Sequence, residues 1–356
     1  MIALTTPQPA RYPQPTVKAQ KLAYLIFERK DLEKAVQFLT DFGLHVVQQT
    51  SEEVFLRCAD REPFCYRIVR AEQDRFIGFG LKMASRQDML TISKLAGATR
   101  CFRTNRLGGG EIVRLTDPSG FLIEAVYGQT LNDPMPHRAA LQLNVDTQHR
   151  FNQPQRLAIS APEVLRLGHV VLEVADFQQT CGWYTQHFGF IPSDVQVLPD
   201  GSPAVTFLRL DHGDTPTDHH TLALAQGFMP LYSHSAFEVV DADAVGMGQR
   251  VLRERGWQHA WGIGRHILGS QIFDYWQDAV GAKHEHYCDG DLFSHDVPMG
   301  VHAVSRDAMS QWGQSMPANF TKPKLNATAL VGLVHHLRHS PDLTIRKLIT
   351  LAKLFG

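Results

Sequence analysis

The chain has 356 residues, 44% of them hydrophobic and 20% charged, with 35 Lys plus Arg against 36 Asp plus Glu and a net charge of −1. That length suits roughly two domains of about 100–200 residues each. The balanced charge argues against a nucleic-acid or anionic-membrane binder, which needs an excess of cations on one face. The outlying count is 18 His beside 5 Cys, and His is the side chain that most often ligates metals and moves protons near neutral pH.

The proline-rich stretch 1–19 reads as an irregular arm. It lacks the apolar run of a secretory signal, and nowhere does the chain approach about 20 uninterrupted apolar residues, so neither secretion nor membrane spanning is expected. The five scattered Cys form no CxxC pair, which points to a reducing, cytoplasmic compartment rather than a disulfide or Cys-zinc framework.

Residues 21–34, KLAYLIFERKDLEK, read as an apolar strand followed by an Asp that opens an amphipathic helix. Residues 166–179, RLGHVVLEVADFQQ, repeat that layout, with Tyr24 to Asp31 and His169 to Asp176 equally spaced. Each helix runs into an aromatic–Gly stop, Phe42-Gly43 and Phe188-Gly189. Next, FIGFGLKM (76–83) parallels HSAFEVVD (234–241), each an alternating strand leading into a helix. Finally DPSGFLIEAVYG (117–128) parallels DAVGAKHEHYCDG (278–290), a DxxG turn followed by a strand carrying Glu seven residues after the Asp.

Three matches in one order predict a duplicated α+β chain built from paired βαβββ units that form curved sheets enclosing a site. The expected divisions are an arm at 1–19, a first module at 20–135, a linker at 136–164, a second module at 165–292, and a partly helical tail at 293–356. The tail's helices are expected at about 326–339 and 341–354, the second opened by Ser340-Pro341. Whether this tail covers the site or mediates oligomer contacts is open from the sequence.

Superposing the copies matches His169, His234 and Glu285 with Tyr24, Phe76 and Glu124. A tyrosine, a phenylalanine and one carboxylate cannot replace two imidazoles and a carboxylate at a divalent metal, so one competent site is expected, in the second module. Two His and one carboxylate leave adjacent positions open on the metal, the ligand set of non-haem Fe(II) oxygenases, with Mn(II) a possible occupant of the same donors. Three strands of one curved sheet would hold such donors rigidly.

The stretches GHVVLEV (168–174), HHTLALAQGF (219–228), SHSAFEVVD (233–241) and GRHILGSQIFDYWQDAVGAKHEHYCDGD (264–291) make the second copy similar to the type I extradiol ring-cleavage dioxygenases of the vicinal oxygen chelate superfamily. The resemblance covers most of 20–292, weakly in the first copy. It implies His169, His234 and Glu285 as metal ligands, His220 as the acid/base histidine, and Tyr275 and His266 on the substrate side. It implies Fe(II), a catecholic substrate and O₂, and a homo-oligomer. The chain departs from the family in having Ser233 before His234, where a second His is common. Choosing His220 over His219 rests on its spacing of fourteen residues from His234, since adjacent residues of a strand face opposite ways.

Other features carry less. His284 and His286 flank Glu285 and are expected on the outer face of their strand. Gly108–Gly110 read as a hairpin turn, Gly262-x-Gly-Arg-His lacks the helix of a dinucleotide fingerprint, and Cys181 reads as a packed thiol. His335, His336 and His339, with no carboxylate nearby, read as an exposed helix face. The expected activity is ring cleavage of a catechol by an Fe(II)-dependent extradiol dioxygenase. The alternatives are a 4-hydroxyphenylpyruvate-like dioxygenase, a glyoxalase-like isomerase, or a non-enzymatic binding protein of the bleomycin-resistance kind.

Overall fold

The computed structural model describes residues 4–321 and 327–355. In the first half, β1 (Ala19–Arg29), α1 (Leu32–Asp41), β2 (His45–Gln49), β3 (Glu53–Arg57) and β4 (Tyr66–Arg70) form one βαβββ unit. A second unit is β5 (Arg75–Met83), α2 (Arg86–Ile92), β6 (Phe102–Arg103), β7 (Glu111–Thr116) and β8 (Leu122–Tyr127). Their strands make an eight-stranded sheet in the order β2-β3-β4-β1-β5-β8-β7-β6.

The pattern recurs in β9 (Val164–Val174), α3 (Phe177–Phe188), β10 (Ile191–Val197), β11 (Pro203–Arg209), the short β12 (Thr217–Asp218) and β13 (Leu222–Gln226). Then follow β14 (Leu231–Val239), α4 (Ala242–Glu254), β15 (Gln258–Arg265), β16 (Ile272–Gln277) and β17 (Lys283–Cys288). The tail adds β18 (Leu292–Phe293), β19 (Gly300–Ala303), β20 (Trp312–Gly313), α5 (Ala327–His339) and α6 (Ile345–Phe355). Tail strands β19 and β20 close the two edges of a ten-stranded sheet ordered β19-β10-β11-β13-β9-β14-β17-β16-β15-β20, and β18 pairs with β12. Among the described residues no helix is long and apolar enough to cross a membrane.

Local chemistry explains the main elements. The Asp31 carboxylate caps α1 by accepting from the Lys34 amide at 2.9 Å, and Asp241 caps α4 in the same way. Leu22 to Phe27 are buried without interruption because β1 is covered on both faces. Gly108, Gly109 and Gly110 all have positive φ and turn the chain between β6 and β7, the expected hairpin. Cys181 is fully buried in α3, and Gly262 to Arg265 lie in β15.

The strand register corrects one match between the copies. Tyr24 pairs with Gly80 and Gly80 with Glu124, while His169 pairs with Ala236 and Ala236 with Glu285. Gly80 is thus the counterpart of Ala236, and the counterpart of His234 is Gly78, two residues beyond Phe76. The same register places Phe64 opposite His220, since Leu25 and Val170 donate to the carbonyls of Cys65 and Thr221. A two-residue slip keeps the same face, which is why periodicity in the sequence does not reveal it.

His284 and His286 point away from Glu285 as alternation requires, but they are fully buried rather than on an outer face. The first half covers them: the Tyr66 hydroxyl meets His284 Nε2 at 3.0 Å, and His286 Nε2 donates to the Phe42 carbonyl at 2.7 Å. The buried Arg29–Asp278 pair at 2.9 Å and the Tyr184 hydroxyl on Asp117 at 2.8 Å cross the same boundary. The second tail helix starts at Ile345, not at Pro341. Ser340 and Asp342 are occupied elsewhere: the Ser340 hydroxyl donates to the Ala175 carbonyl, and Asp342 accepts from the Gln178 amide and side chain. Thr344 then caps the helix through the Lys347 amide. Residue 326 of the first expected helix lies outside the described residues, and His335 and His339 are exposed.

Candidate metal centre and cavity

Three central strands bring His169, His234 and Glu285 together. His169 Nε2 and His234 Nε2 lie 3.3 and 3.5 Å from Glu285 Oε2, and one donor atom from each residue falls within 4.8 Å of the others. A register shift in β14 between Tyr232 and His234, where the strand bulges, turns both Ser233 and His234 toward the same space. All three side chains are buried, yet among the described residues neither Glu285 carboxylate oxygen receives a hydrogen bond and no group satisfies His169 Nδ1. Buried polar atoms left without partners are rare and costly. Two imidazole nitrogens and a carboxylate converging on one point, with their hydrogen bonds unmade, fit a divalent cation. Burial holds His234 well below the usual imidazole range, so its ring is neutral and free to ligate. Burial also pushes the Glu285 carboxyl up, but the surrounding imidazoles outweigh it and keep it ionised.

The corresponding place in the first half is closed to metal. Tyr24, Gly78 and Phe64 offer no imidazole, and the retained Glu124 is filled by guanidinium groups instead. Arg106 donates to both its oxygens at 2.5 and 2.9 Å, Arg114 to one at 2.9 Å, and the Tyr24 hydroxyl at 2.7 Å. Burial alone would raise this carboxyl, but Arg106, Tyr24 and Arg114 bring it down to about 2. By register Arg114 stands where the second half has Tyr275.

The second-half cluster opens into a cavity of about 370 Å³. Its walls are mainly apolar, from Val171, Ala223 and Ala225 on β9 and β13 to Phe207 on β11. His220 lines it with its ring centroid 4.1 Å from that of His169. His219 stands behind, its Nδ1 3.0 Å from His220 Nδ1 and its Nε2 2.6 Å from Asp194 Oδ2. Asp194 Oδ1 in turn accepts from His302 Nε2 at 2.7 Å, and the His302 side chain is 43% exposed. The Asp194 carboxylate only accepts, so His219 Nε2 carries a proton, and in the neutral form of that ring Nδ1 is bare. His220 must then donate through Nδ1, which leaves its Nε2 bare. Burial, reinforced by the neighbouring imidazoles, holds His220 well below its usual range.

His266 and Tyr275 also face the cavity. His266 Nδ1 donates to the Met309 carbonyl at 2.8 Å, so its Nε2 accepts from the Tyr275 hydroxyl at 2.8 Å. The tail therefore sets this ring, and it completes the cavity with Met309, Met316, Phe320, Leu348, Leu351 and Ala352. Sequence reasoning missed Asp194, His302 and these tail residues. Asp194 and His302 sit on β10 and β19, paired in parallel across a separation of about 100 positions, with no local motif to mark them.

Residues 166–283 match the Glyoxalase/Bleomycin resistance protein/Dioxygenase superfamily. That stretch carries a domain similar to this superfamily, and the paired βαβββ units of the chain have the vicinal oxygen chelate fold of the solved structures named below. Among named relatives, Metapyrocatechase 2 of Cupriavidus necator is 28% identical over 321 residues, covering 88% of this chain and 94% of the relative. Among solved structures, the Mn(II)-bound glyoxalase from Novosphingobium aromaticivorans has a TM-score of 0.71 at 22% identity, covering 87% of this chain and 96% of that one. Homoprotocatechuate 2,3-dioxygenase from Arthrobacter globiformis has a TM-score of 0.71 at 21% identity, covering 91% and 97%.

Proposed function

We propose that the protein is an extradiol dioxygenase that opens the ring of a catechol-type substrate with both atoms of O₂, using Fe(II) held by His169, His234 and Glu285. The observation that supports this reading best is the convergence of these three unbonded donors at the end of an apolar cavity, with His220, His266 and Tyr275 beside them. Bound Fe(II) supplies a Lewis-acidic, redox-active centre with open positions for two catechol oxygens and O₂.

The remaining work belongs to the chain. His220 takes a hydroxyl proton from the catechol at its bare Nε2 and returns it later as a general acid. His219 and Asp194 hold that tautomer, and His302 connects the line to solvent. The Tyr275–His266 pair orients the ring oxygens, steadied by the Met309 carbonyl. The apolar walls exclude water from the reacting centre. A glyoxalase-type site drawing ligands from both halves finds none at Tyr24 or Gly78. The five free cysteines suit a reducing cytoplasm, and the exposed apolar residues of α5 and α6, Leu330, Val331, Ile345 and Ile349, suit a homo-oligomer.

The test is an oxygen electrode with anaerobically iron-loaded protein and a panel of mono- and bicyclic catechols. One O₂ consumed per catechol, with a yellow ring-opened product, is expected. No uptake with any member of the panel refutes the assignment.

A further inference from the structure

The histidines that line the cavity and, among the described residues, its one lining carboxylate stand apart. Its four histidines, His169, His220, His234 and His266, gather at the metal end. Of the Asp, Glu, Lys and Arg side chains among the described residues, Glu173 is the one that lines the wall. Strand alternation places it there: β9 turns His169, Val171 and Glu173 to the same face, so Glu173 lies about 13 Å along the strand from His169 at about 3.3 Å per residue.

Glu173 has no hydrogen bond and no ion pair among the described residues. The neighbouring polar groups are already engaged. Gln226 Nε2 donates to the carbonyls of Val174, Ala175 and Gly227, and its Oε1 accepts from Lys347 Nζ at 2.8 Å. The Lys283 ammonium donates to the Phe320 carbonyl at 2.9 Å and sits 4.8 Å from the centroid of that ring. Burial pushes the Glu173 carboxyl up to about 7, with Lys283 alone opposing it. A half-buried acceptor facing an apolar channel, with no hydrogen-bond donor among the described residues, is stabilised by a donor on the ligand.

We propose that Glu173 makes the far end of the cavity a subsite for a hydrogen-bond donor, so the substrate is a catechol with an apolar arm ending in an amine or hydroxyl rather than a carboxylate. This rests on the dioxygenase reading and narrows its substrate class. A second carboxylate at this place meets Glu173, and among the described residues no Lys or Arg side chain lines the wall to offset it; like charges in a water-poor site repel strongly.

The test uses three catechols with four-carbon arms at the 4-position: aminobutyl, butyl, and a terminal butanoate. Anaerobic dissociation constants and kcat/KM are measured with iron-loaded protein at pH 8, where Glu173 is ionised. The amine should exceed the carboxylate by at least about tenfold in both quantities, with the plain butyl arm between them. Glu173→Gln should lower the preference for the amine and improve the carboxylate, while butylcatechol changes by less than about threefold. Equal values for the three arms, or a preference for the carboxylate, overturn the subsite. No oxygen uptake on any arm, with amine-over-carboxylate binding intact, overturns the reaction and leaves the subsite standing. If Glu173→Gln fails to fold, the charge preference of the unaltered protein decides.

Discussion

The closed site of the first half allows a sharp test of what holds Glu124 in the place that Glu285 takes in the second. Glu124 is fully buried and held at about 2 rather than its ordinary 4.5 by two guanidinium groups and the Tyr24 hydroxyl. A carboxyl held that far down contributes about 3 kcal/mol of stability at neutral pH. Arg106, 13% exposed and bonded to both oxygens, supplies most of the compensation; Arg114 is 41% exposed and screened by solvent. Arg106→Met keeps the packing volume and leaves a buried carboxylate short of partners, so a loss of about 2–3 kcal/mol is expected at pH 7.

The pH dependence follows from the direction of the shift. The depressed carboxyl stabilises the folded chain above pH 4.5, and that contribution is lost as pH falls toward 2. The variant lacks it, so the gap between the two proteins should shrink below pH 4.5 and be roughly halved by about pH 3. Urea unfolding of metal-free protein, followed by tryptophan fluorescence across pH 3–7.5, measures this. A gap under about 1 kcal/mol at pH 7, or one that does not change with pH, would refute the account of Glu124.

Three further predictions concern the second half. His169→Ala and Glu285→Ala should each lose iron on gel filtration, whereas His220→Phe should keep it and slow ring cleavage; elemental analysis with oxygen uptake separates the two classes, and iron retained by Glu285→Ala contradicts the ligand assignment. Removing His219 by His219→Phe should lower kcat by about a hundredfold with little change in KM, because the tautomer of His220 is then no longer imposed; an unchanged kcat removes His219 and Asp194 from the mechanism. Leu351→Trp should fill the tail side of the cavity, so bicyclic catechols lose kcat/KM by at least about tenfold while unsubstituted catechol is turned over nearly as before; parallel losses on both would place the tail outside the substrate site.

Much of the fold was legible because the duplication made the chain its own alignment. Equal spacings from Tyr24 to Asp31 and from His169 to Asp176 marked β1–α1 and β9–α3, and Asp31 does cap its helix. The His169, His234 and Glu285 constellation was readable for the same reason. The Phe76 match failed because periodicity fixes the face of a strand but not its register, and hydrogen-bond pairing put Gly78 in that place. His284 and His286 were expected at a surface because alternation says which way a side chain points and not what covers it.

From the sequence alone came the repeat, the strand-borne donors and the asymmetry between a module with two imidazoles and one without, all properties of residues near one another or related by internal symmetry. Tertiary structure decided what depends on distant segments meeting. It brought His302 of the tail to Asp194, set His266 with the Met309 carbonyl, and turned a tail of unknown purpose into the wall of the cavity. The 18 His resolve accordingly: a few gather at one centre by strand register, and others, such as His284 and His286, serve the packing of one half on the other. Contacts of this kind depend on where the chain returns in space, which local spacing does not encode.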